Sequence, residues 1–291
     1  MPDTETIGEA LTRVREALSR AGIPEPDIEA ELMLMRLLGV KRHSLFLDAG
    51  MGLSSKKTAE LQDVLLRRLK REPSQYIFGE ADFRGLTLKV TKDVLIPRPE
   101  TELLAGEAVK LGKEMDPALA VIDPCTGSGC IAISIASEVP GPAVYATDIS
   151  EKALTVAREN AARAGVAERV RFLQGDLFTP LPDELKGRAG IIVSNPPYVP
   201  ERDMEGLAPE VRDFEPRGAL AGGEDGLSFI RRIVGEAPLF LAPGGWLLIE
   251  MGYGQSGEVR RMAEDDGRYD NIEIIKDYGK IDRILKASHK A

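Results

Sequence analysis

Residues 119–136 read Leu-Ala-Val-Ile-Asp-Pro-Cys-Thr-Gly-Ser-Gly-Cys-Ile-Ala-Ile-Ser-Ile-Ala, and this stretch decides the fold of the chain. Its beginning, 119–123, is an apolar run of strand length, and its end, 130–136, predicts a helix that is apolar on almost every side. Gly127 and Gly129 lie between them and permit a tight turn. A buried strand followed by a glycine turn and a helix is the first half of a βα unit, so the stretch indicates an α/β fold.

The same alternation of strand and helix continues to the end of the chain. The strands are apolar almost without interruption, which is typical of parallel strands that are covered by helices on both faces. We therefore predict a doubly wound, mostly parallel sheet of seven strands with right-handed crossovers. The strands after the first are predicted at residues 143–148, 170–174, 190–194, 246–250, 272–275 and 283–285.

Residues 6 to about 72 predict a small helical bundle. Thr6 and Glu9 have the spacing of a capping box, and Gly22 and Gly39 stop the first two helices. The basic run 67–71 could contact RNA or an acidic partner, or form a solvated helix face. The apolar faces predicted to be buried are Ile28, Leu32, Met35 and Leu38 in the second helix, and Leu61, Val64, Leu65 and Leu69 in the third.

A β-hairpin is predicted to link the bundle to the α/β part. The apolar residues from Tyr76 to Phe78 and the alternating residues up to Val90 indicate strands that turn at Arg84-Gly85. We predict a helical recognition domain at 1–73, a hairpin linker at 74–100 and a catalytic domain at 101–291.

Composition limits the function. The net charge of −9 disfavours direct binding of nucleic acid, because the positive field that attracts phosphates is missing. Cys125 and Cys130 are the only cysteines and the chain has two histidines, so no metal site is predicted. The N-terminal residues lack the features of a signal peptide, and no apolar run is long enough to cross a membrane. We expect a cytoplasmic protein without membrane contact.

The carboxyl ends of the predicted strands carry the residues that suggest a ligand. Ligands of doubly wound sheets bind at this edge, where the glycine turn allows a close approach to the backbone. Asp148 could accept hydrogen bonds from both hydroxyls of a ribose, and Asp176 from an adenine amino group that Leu177 covers. The pattern Gly127-x-Gly129-x-x-Ala132 also fits a dinucleotide site, and each aspartate alone could be an ordinary strand-end residue.

The motif Asn195-Pro196-Pro197-Tyr198 follows the buried strand 190–194. The Asn195 amide oxygen and the Pro196 carbonyl can accept hydrogen bonds from a planar amino group, while the Tyr198 ring can stack on the group that carries it. A strand-ending turn with a buried tyrosine is the alternative. These features predict a site for a planar nitrogen nucleophile.

Two further loops are candidates for substrate contact. Pro97 and Pro99 hold Arg98 in an extended loop, where it could orient a carboxylate or form a salt bridge with Glu100 or Glu102. Residues 200–226 are too long for an ordinary connection. We interpret them as a flap over the substrate with Glu215 and Arg217 as contacts; a low-complexity linker is the alternative.

Together these motifs resemble a known family. The order Asp-x-x-Thr-Gly-Ser-Gly (123–129), Asp148, Gly-Asp (175–176) and Asn-Pro-Pro-Tyr (195–198) looks like a class I S-adenosylmethionine-dependent methyltransferase. The loop 96–102, the helical N-terminal domain, and the Phe-Glu-Pro and Gly-Glu-Asp-Gly stretches at 214–216 and 223–226 are similar to the HemK family of release factor glutamine methyltransferases. One departure is Pro124-Cys125, where the family has Leu-Gly.

The resemblance implies the reaction and the roles of the residues. The cofactor is S-adenosyl-L-methionine, and the substrate is the glutamine amide in the Gly-Gly-Gln motif of peptide chain release factors, with the enzyme acting as a monomer. Catalytic roles fall to Asn195, Pro196 and Tyr198, and substrate binding also to Pro197 and Arg98. The alternatives are an adenine-N6 DNA methyltransferase and a cofactor-binding regulator without turnover. Predicted cofactor-binding residues are Cys125, Thr126, Gly127, Ser128, Gly129, Asp148, Asp176, Leu177 and Asn195.

Overall fold

The first helix of the protein begins at the predicted capping box. A computed structural model describes residues 5–291; residues 1–4, part of the stretch that lacks signal-peptide features, lie outside this range. The Glu9 N–H donates to the Thr6 hydroxyl at 3.3 Å, and the Thr6 N–H donates to the Glu9 carboxylate at 2.8 Å. The box is therefore confirmed. The helices up to residue 79 are α1 (Ile7–Arg20), α2 (Pro26–Leu38), α3 (Arg42–Leu47), α4 (Ser55–Leu69) and α5 (Ser74–Phe78).

The buried face of α2 differs from the prediction. Ile28 and Leu32 are 50% and 46% exposed, whereas Met33 and Leu34 are buried in the bundle core. Apolar side chains occur on most sides of this helix, so its periodicity alone does not choose a face. The positions of α1 and α4, both of which contact α2, decide which side is covered. In α4 the prediction is confirmed for Leu61 and Leu65, which are both buried.

The basic run at 67–71 is not a uniformly solvated helix face. Arg68 is only 4% exposed and its Nε lies 3.3 Å from the carboxylate of Glu29 on α2. Arg67 donates to both carboxylate oxygens of Glu72, at 2.9 and 2.8 Å. Both charges are partly or largely removed from solvent, and pairing offsets the cost of that desolvation. These two arginines therefore contribute to the architecture of the bundle.

The chain divides into two compact units, Met1–Gly79 and Glu80–Ala291. The hairpin thus belongs to the second unit, and it consists of β1 (Glu80–Phe83) and β2 (Leu86–Lys89) with the predicted turn at Arg84-Gly85. Both turn residues have positive φ, 47° and 77°, as a two-residue hairpin turn requires. The prediction of a strand over residues 76–78 was wrong. These residues form one helical turn, α5, which ends where Gly79 adopts φ 75°.

The second unit contains the predicted sheet of seven strands. In spatial order they are β5-β4-β3-β6-β7-β9-β8, and only the pairs that include β9 are antiparallel. The strand order reverses between β3 and β6, which is where ligands of doubly wound sheets bind. The fold prediction is confirmed. The strands are β3 (Ala120–Pro124), β4 (Val144–Asp148), β5 (Val170–Gln174), β6 (Ala189–Ser194), β7 (Leu241–Glu250), β8 (Tyr269–Lys276) and β9 (Asp282–His289).

Both faces of the sheet are buried. Successive residues of β6, Ile191 and Ile192, belong to two different hydrophobic clusters, because neighbouring side chains of a strand point to opposite faces. Strand β7 begins earlier than predicted and includes the Pro-Gly-Gly stretch at 243–245, where its register with β6 shifts. The helices of this unit are α6 (Pro99–Glu114), α7 (Cys130–Glu138), α8 (Glu151–Arg163), α9 (Pro209–Arg212), α10 (Ser228–Glu236) and α11 (Ser256–Asp266).

Candidate active site

A cavity of about 290 Å³ lies at the carboxyl ends of β3, β4, β5 and β6. It brings together most of the residues that the sequence singled out, as expected for the edge of a doubly wound sheet. Three predicted residues are sequence neighbours of lining residues but do not themselves line the cavity in the described part of the chain, 5–291: Gly129, Pro196 and Tyr198. The predicted residues that line it are Arg98, residues 125–128, Asp148, Asp176, Leu177, Asn195 and Pro197.

Asp123, near the end of β3, stabilises the glycine turn through hydrogen bonds. One of its carboxylate oxygens accepts the Thr126 hydroxyl at 2.7 Å and the Ala132 N–H at 3.2 Å. The other oxygen is buried and has no hydrogen-bond partner among the described residues. Burial raises the pKa of Asp123 to about 7. The carboxyl group thus fixes both the turn and the first turn of α7.

Cys125 occupies a backbone conformation that favours glycine. Its φ is 61°, in the left-handed region, where a Cβ approaches the following carbonyl oxygen. This is one of the two positions, 124 and 125, at which the chain departs from the motif of the family that it resembles. Burial raises the pKa of its thiol far above the usual range, so the thiol stays protonated and is a poor nucleophile.

We expect Cys125→Gly to be more stable than Cys125→Ala by about 1 kcal/mol, because only alanine retains a Cβ in the left-handed region. The free energies of unfolding of both variants can be measured by urea titration. Cys130 is the matched control, since it is the first residue of α7 and has no positive φ. There glycine should not be the more stable variant, because a helical φ gives it no advantage over alanine. The same order at both cysteines would contradict strain at Cys125.

Asp148 joins the end of β4 to the glycine turn. Its carboxylate accepts the Gly127 N–H and the Ser150 N–H, each at 2.9 Å. Burial raises its pKa, although these backbone hydrogen bonds oppose the shift. An ionised carboxylate has about four lone-pair sites. Asp148 therefore retains acceptor capacity toward the cavity, as the predicted ribose contact requires.

Asp176 has a partner that the sequence analysis missed. Arg232 on α10 binds its carboxylate in a bidentate manner, with Nη1 to Oδ1 at 3.1 Å and Nη2 to Oδ2 at 2.9 Å. The two remaining lone-pair sites can still accept an amino hydrogen. Next to it, Leu177 is only 3% exposed and has φ 47°. No local pattern links an aspartate after β5 to an arginine in a later helix, so only the fold reveals this pair.

Asn195 stands at the end of β6 and is connected to two residues that the sequence analysis did not identify. Its Nδ2 donates to the Thr101 hydroxyl oxygen at 3.0 Å, and Oγ1 of Thr101 lies 2.7 Å from Oε2 of Glu250. The Tyr198 hydroxyl donates to Oε1 of Glu250 at 3.4 Å. Glu250 is 1% exposed, and this burial raises its pKa to about 7. The sequence contained one sign of this network, which is that Glu250 is an acid at the end of a largely apolar strand.

Arg98 pairs with a different glutamate from those considered in the sequence. Its Nη2 lies 2.5 Å from Oε1 of Glu215, whose side chain is 1% exposed. A salt bridge is therefore present, but the predicted partner, Glu100 or Glu102, was wrong. Burial raises the pKa of Glu215, and Arg98 opposes that shift. The pair joins the loop before α6 to the segment that follows the Asn-Pro-Pro-Tyr motif, and a contact of Arg98 with substrate stays a prediction.

The segment 200–226 is ordered against the motif and is not a low-complexity linker. It contains three short helical turns, Glu201–Gly206, Pro209–Arg212 and Arg217–Ala219. Val199 N–H donates to the Leu220 carbonyl at 2.9 Å, and Gly222 N–H donates to the Val199 carbonyl at 2.8 Å. Arg217 pairs with Glu201 within the segment. The segment is thus attached to the residue directly after Tyr198.

Two general searches of residues 5–291 complete the description of the site. They contain no group of three or more histidine, cysteine, aspartate or glutamate residues arranged to hold a metal ion. In the same range, every helix is too short or too polar to pass through a lipid bilayer.

Comparison with known proteins gives the family. The PrmC N-terminal domain family matches residues 9–79, and a methyltransferase domain family matches residues 115–286. A release factor glutamine methyltransferase of Geobacter sulfurreducens is 42% identical over 98% of this chain and 97% of its own length. The enzyme of that name from Vibrio cholerae is 40% identical over 98% and 97%.

A solved structure agrees with the fold. The methyltransferase from Pyrococcus furiosus is 17% identical, with a TM-score of 0.53, and the match covers 82% of this chain and all of that one. At this level of identity the likeness shows only that the two proteins share a fold. The identity of about 40% to the two enzymes, over nearly the full length, shows the family as well. With its glycine turn, its Asn-Pro-Pro-Tyr motif and both family matches, the chain belongs to the release factor glutamine methyltransferases.

Proposed function

We propose that the protein methylates the side-chain amide nitrogen of the glutamine in the Gly-Gly-Gln motif of peptide chain release factors, with S-adenosyl-L-methionine as the methyl donor. The enzyme would act as a cytoplasmic monomer. The observation that carries the proposal is the orientation of Asn195. Its amide nitrogen is engaged by Thr101, so its amide oxygen is left as an acceptor at the cavity.

The cavity has the donors and acceptors that this cofactor needs. Gly127 has φ 56°, and a Cβ built on it would meet nothing within 4 Å, so the turn leaves space beside its backbone. Asp148, which has no arginine or lysine partner among the contacts of the described residues, places a carboxylate at the cavity and favours a cationic sulfonium compound, whereas the charge of Asp176 is balanced by Arg232. When bound, the cofactor supplies an electrophilic methyl group. We infer that residues 125–129, Asp148, Asp176, Leu177 and Asn195 hold it.

The substrate amide needs orientation more than a base. An amide nitrogen is a weak nucleophile because its lone pair is delocalised into the carbonyl group. Asn195 Oδ1 and the Pro196 carbonyl would accept its two N–H groups, while Tyr198 would cover the amide plane. Alignment of this kind contributes up to about 7–11 kcal/mol to catalysis. The same two acceptors stabilise positive charge that develops on nitrogen, and the proton then leaves to water.

The helical unit is our proposed recognition domain for the release factor. It exposes several large apolar side chains, among them Phe46 at 55%, Leu47 at 80% and Met51 at 60%. Exposed apolar groups that lie near one another often mark protein-binding surfaces. Residues 1–73 would then select the substrate, while the second unit performs the reaction.

Methyl transfer from labelled cofactor to candidate substrates tests the proposed function. We expect label in a purified release factor and none in a variant whose Gly-Gly-Gln glutamine is replaced by alanine. Mass spectrometry of the tryptic peptide should place one methyl group on that side chain. Label in DNA would favour the adenine methyltransferase, and cofactor binding without transfer to either substrate would favour a regulator.

A further inference from the structure

The Asn195 amide has two ends of nearly equal shape and opposite chemistry. Its oxygen accepts hydrogen bonds, whereas its NH₂ group donates them. A half-turn about the last side-chain torsion exchanges the two ends with little change in packing. Only the oxygen can bind the N–H group of a substrate amide, so the protein must favour one of the two orientations.

Two contacts connect this amide to a buried acid. Asn195 Nδ2 lies 3.0 Å from Thr101 Oγ1, and Thr101 Oγ1 lies 2.7 Å from Glu250 Oε2. On the other side of the acid, the Tyr198 hydroxyl lies 3.4 Å from Oε1. Thr101 is 2% exposed and Glu250 is 1% exposed. Water therefore has little access to compete for these hydrogen bonds.

The single hydrogen of the Thr101 hydroxyl determines which orientation is stable. An ionised Glu250 can only accept, so it takes this hydrogen, and Oγ1 must then accept from the Asn195 NH₂ group. A protonated Glu250 can donate to Oγ1 instead. The threonine hydrogen is then free to turn to the Asn195 oxygen, which stabilises the reversed amide.

We propose that Glu250, acting through Thr101, is a positioning residue that keeps the Asn195 amide oxygen turned toward the substrate. This inference rests on the proposed function, because it assigns a role in orienting the glutamine amide. It also explains why a carboxyl group stands at the buried end of β7, where its desolvation is costly. Neither residue needs to touch the substrate.

The surroundings of Glu250 place its ionisation near neutral pH. Its pKa is raised to about 7, since burial, the largest cause, and the charge of Glu100 raise it more than the hydrogen bonds from Thr101 and Tyr198 and the charge of Arg283 lower it. Cys130 also interacts with the acid, but burial keeps its thiol protonated. As pH rises through this range, Glu250 loses its proton and the active orientation of Asn195 is selected.

The first test replaces the hydroxyl that transmits the effect. In Thr101→Val the shape is kept and the hydroxyl is lost, and we expect kcat for release factor methylation to fall about 10-fold or more, since two buried partners lose a hydrogen bond. Thr101→Ser restores a hydroxyl and should recover most of the rate. The cofactor Kd, measured by calorimetry, should change little in both. Equal rates for valine and serine would overturn the inference.

The second test uses the pH dependence of the wild type and compares it with one variant of Glu250. The kcat of the wild type, at saturating cofactor and release factor, should rise with pH along a limb with an apparent pKa of about 7. Glu250→Gln cannot ionise and should lose this limb. A wild-type profile that is flat between about pH 6 and 8, around this pKa, would overturn the inference.

A control variant distinguishes a specific effect of Thr101 and Glu250 on catalysis from a general loss of stability, and the activity of the wild type tests the proposed function separately. Ser288 on β9 is also buried and donates to the Asp270 carbonyl at 3.2 Å, but its partner on β7 is Trp246, whereas Glu250 pairs with Ile284. Ser288→Ala should leave kcat and its pH profile unchanged. If the wild type fails to methylate the release factor, the proposed function fails. A working wild type with an unaffected Thr101→Val variant removes only the role of Glu250.

Discussion

Replacement of Asn195 by alanine should lower kcat for release factor methylation by about 100-fold or more, the loss typical of removing one preorganised polar contact to a reacting group. The side chain offers its oxygen at the cavity because its nitrogen is held by Thr101. Without it, the Pro196 carbonyl alone would have to orient the glutamine amide. Single-turnover kinetics with labelled cofactor would measure the chemical step directly.

The cofactor provides the internal control for Asn195→Ala. Most of the proposed cofactor contacts that line the cavity come from residues 125–128, Asp148 and Asp176, so we expect its Kd to change far less than the rate. Calorimetric titration of the variant tests this difference. An alanine variant that retains wild-type single-turnover rates would rule out the role assigned to the side chain. A variant that no longer binds the cofactor would show that Asn195 acts mainly by holding the cofactor and not by orienting the glutamine amide.

Replacement of Gly222 by alanine should also lower kcat by about 100-fold, because a displacement of about 1 Å at a reacting group can cost that much. A Cβ on Gly222 would lie 2.6 Å from the Gly226 carbonyl oxygen, 2.8 Å from the Pro197 carbonyl oxygen and 2.8 Å from the Tyr198 Cα. All three are backbone atoms, so the motif itself has to move. None of these three atoms belongs to the glycine turn 125–129, so cofactor affinity should be less affected.

Gly206 supplies the matched control for Gly222. It lies in the same segment, and a Cβ built on it would meet nothing within 4 Å. Gly206→Ala should therefore keep the wild-type rate, and circular dichroism should confirm that both variants are folded at the assay temperature. Similar activity of the two alanine variants would show that close packing of the segment against the motif is unimportant for catalysis.

The sheet and the edge that carries the site could be predicted from local patterns. Continuous apolar runs such as 190–194 indicate strands covered on both faces, whatever lies beside them. In parallel sheets the carboxyl ends of the strands meet at one edge, so Asp148, Asp176 and Asn195 were expected to converge there. All three line the cavity. Local apolarity and chain direction are sufficient for this level of prediction.

Side-chain partners could not be predicted in the same way. Thr101 and Glu250 are 149 residues apart in the chain, and Arg98 and Glu215 are 117 residues apart. For Glu250 and Glu215, other arginines and hydroxyl groups lie nearer in the sequence, and solvent was an equally plausible partner. The exposed side of α2 was uncertain for a related reason, since several of its faces are apolar.

Local chemistry was enough to predict the seven-stranded sheet, the glycine turn and a ligand site at the Asn-Pro-Pro-Tyr motif, because each depends on neighbouring residues; it was not enough for residues 76–78, which form a helical turn and not a strand. The end of the Asn195 amide that faces the cavity, in contrast, follows from contacts between residues far apart in the chain. That choice depends on one hydroxyl hydrogen shared with Glu250, a residue brought to Thr101 by the packing of α6 beside β7. Hydrogen bonds between distant residues depend on distances of a few tenths of an ångström, which no local pattern encodes.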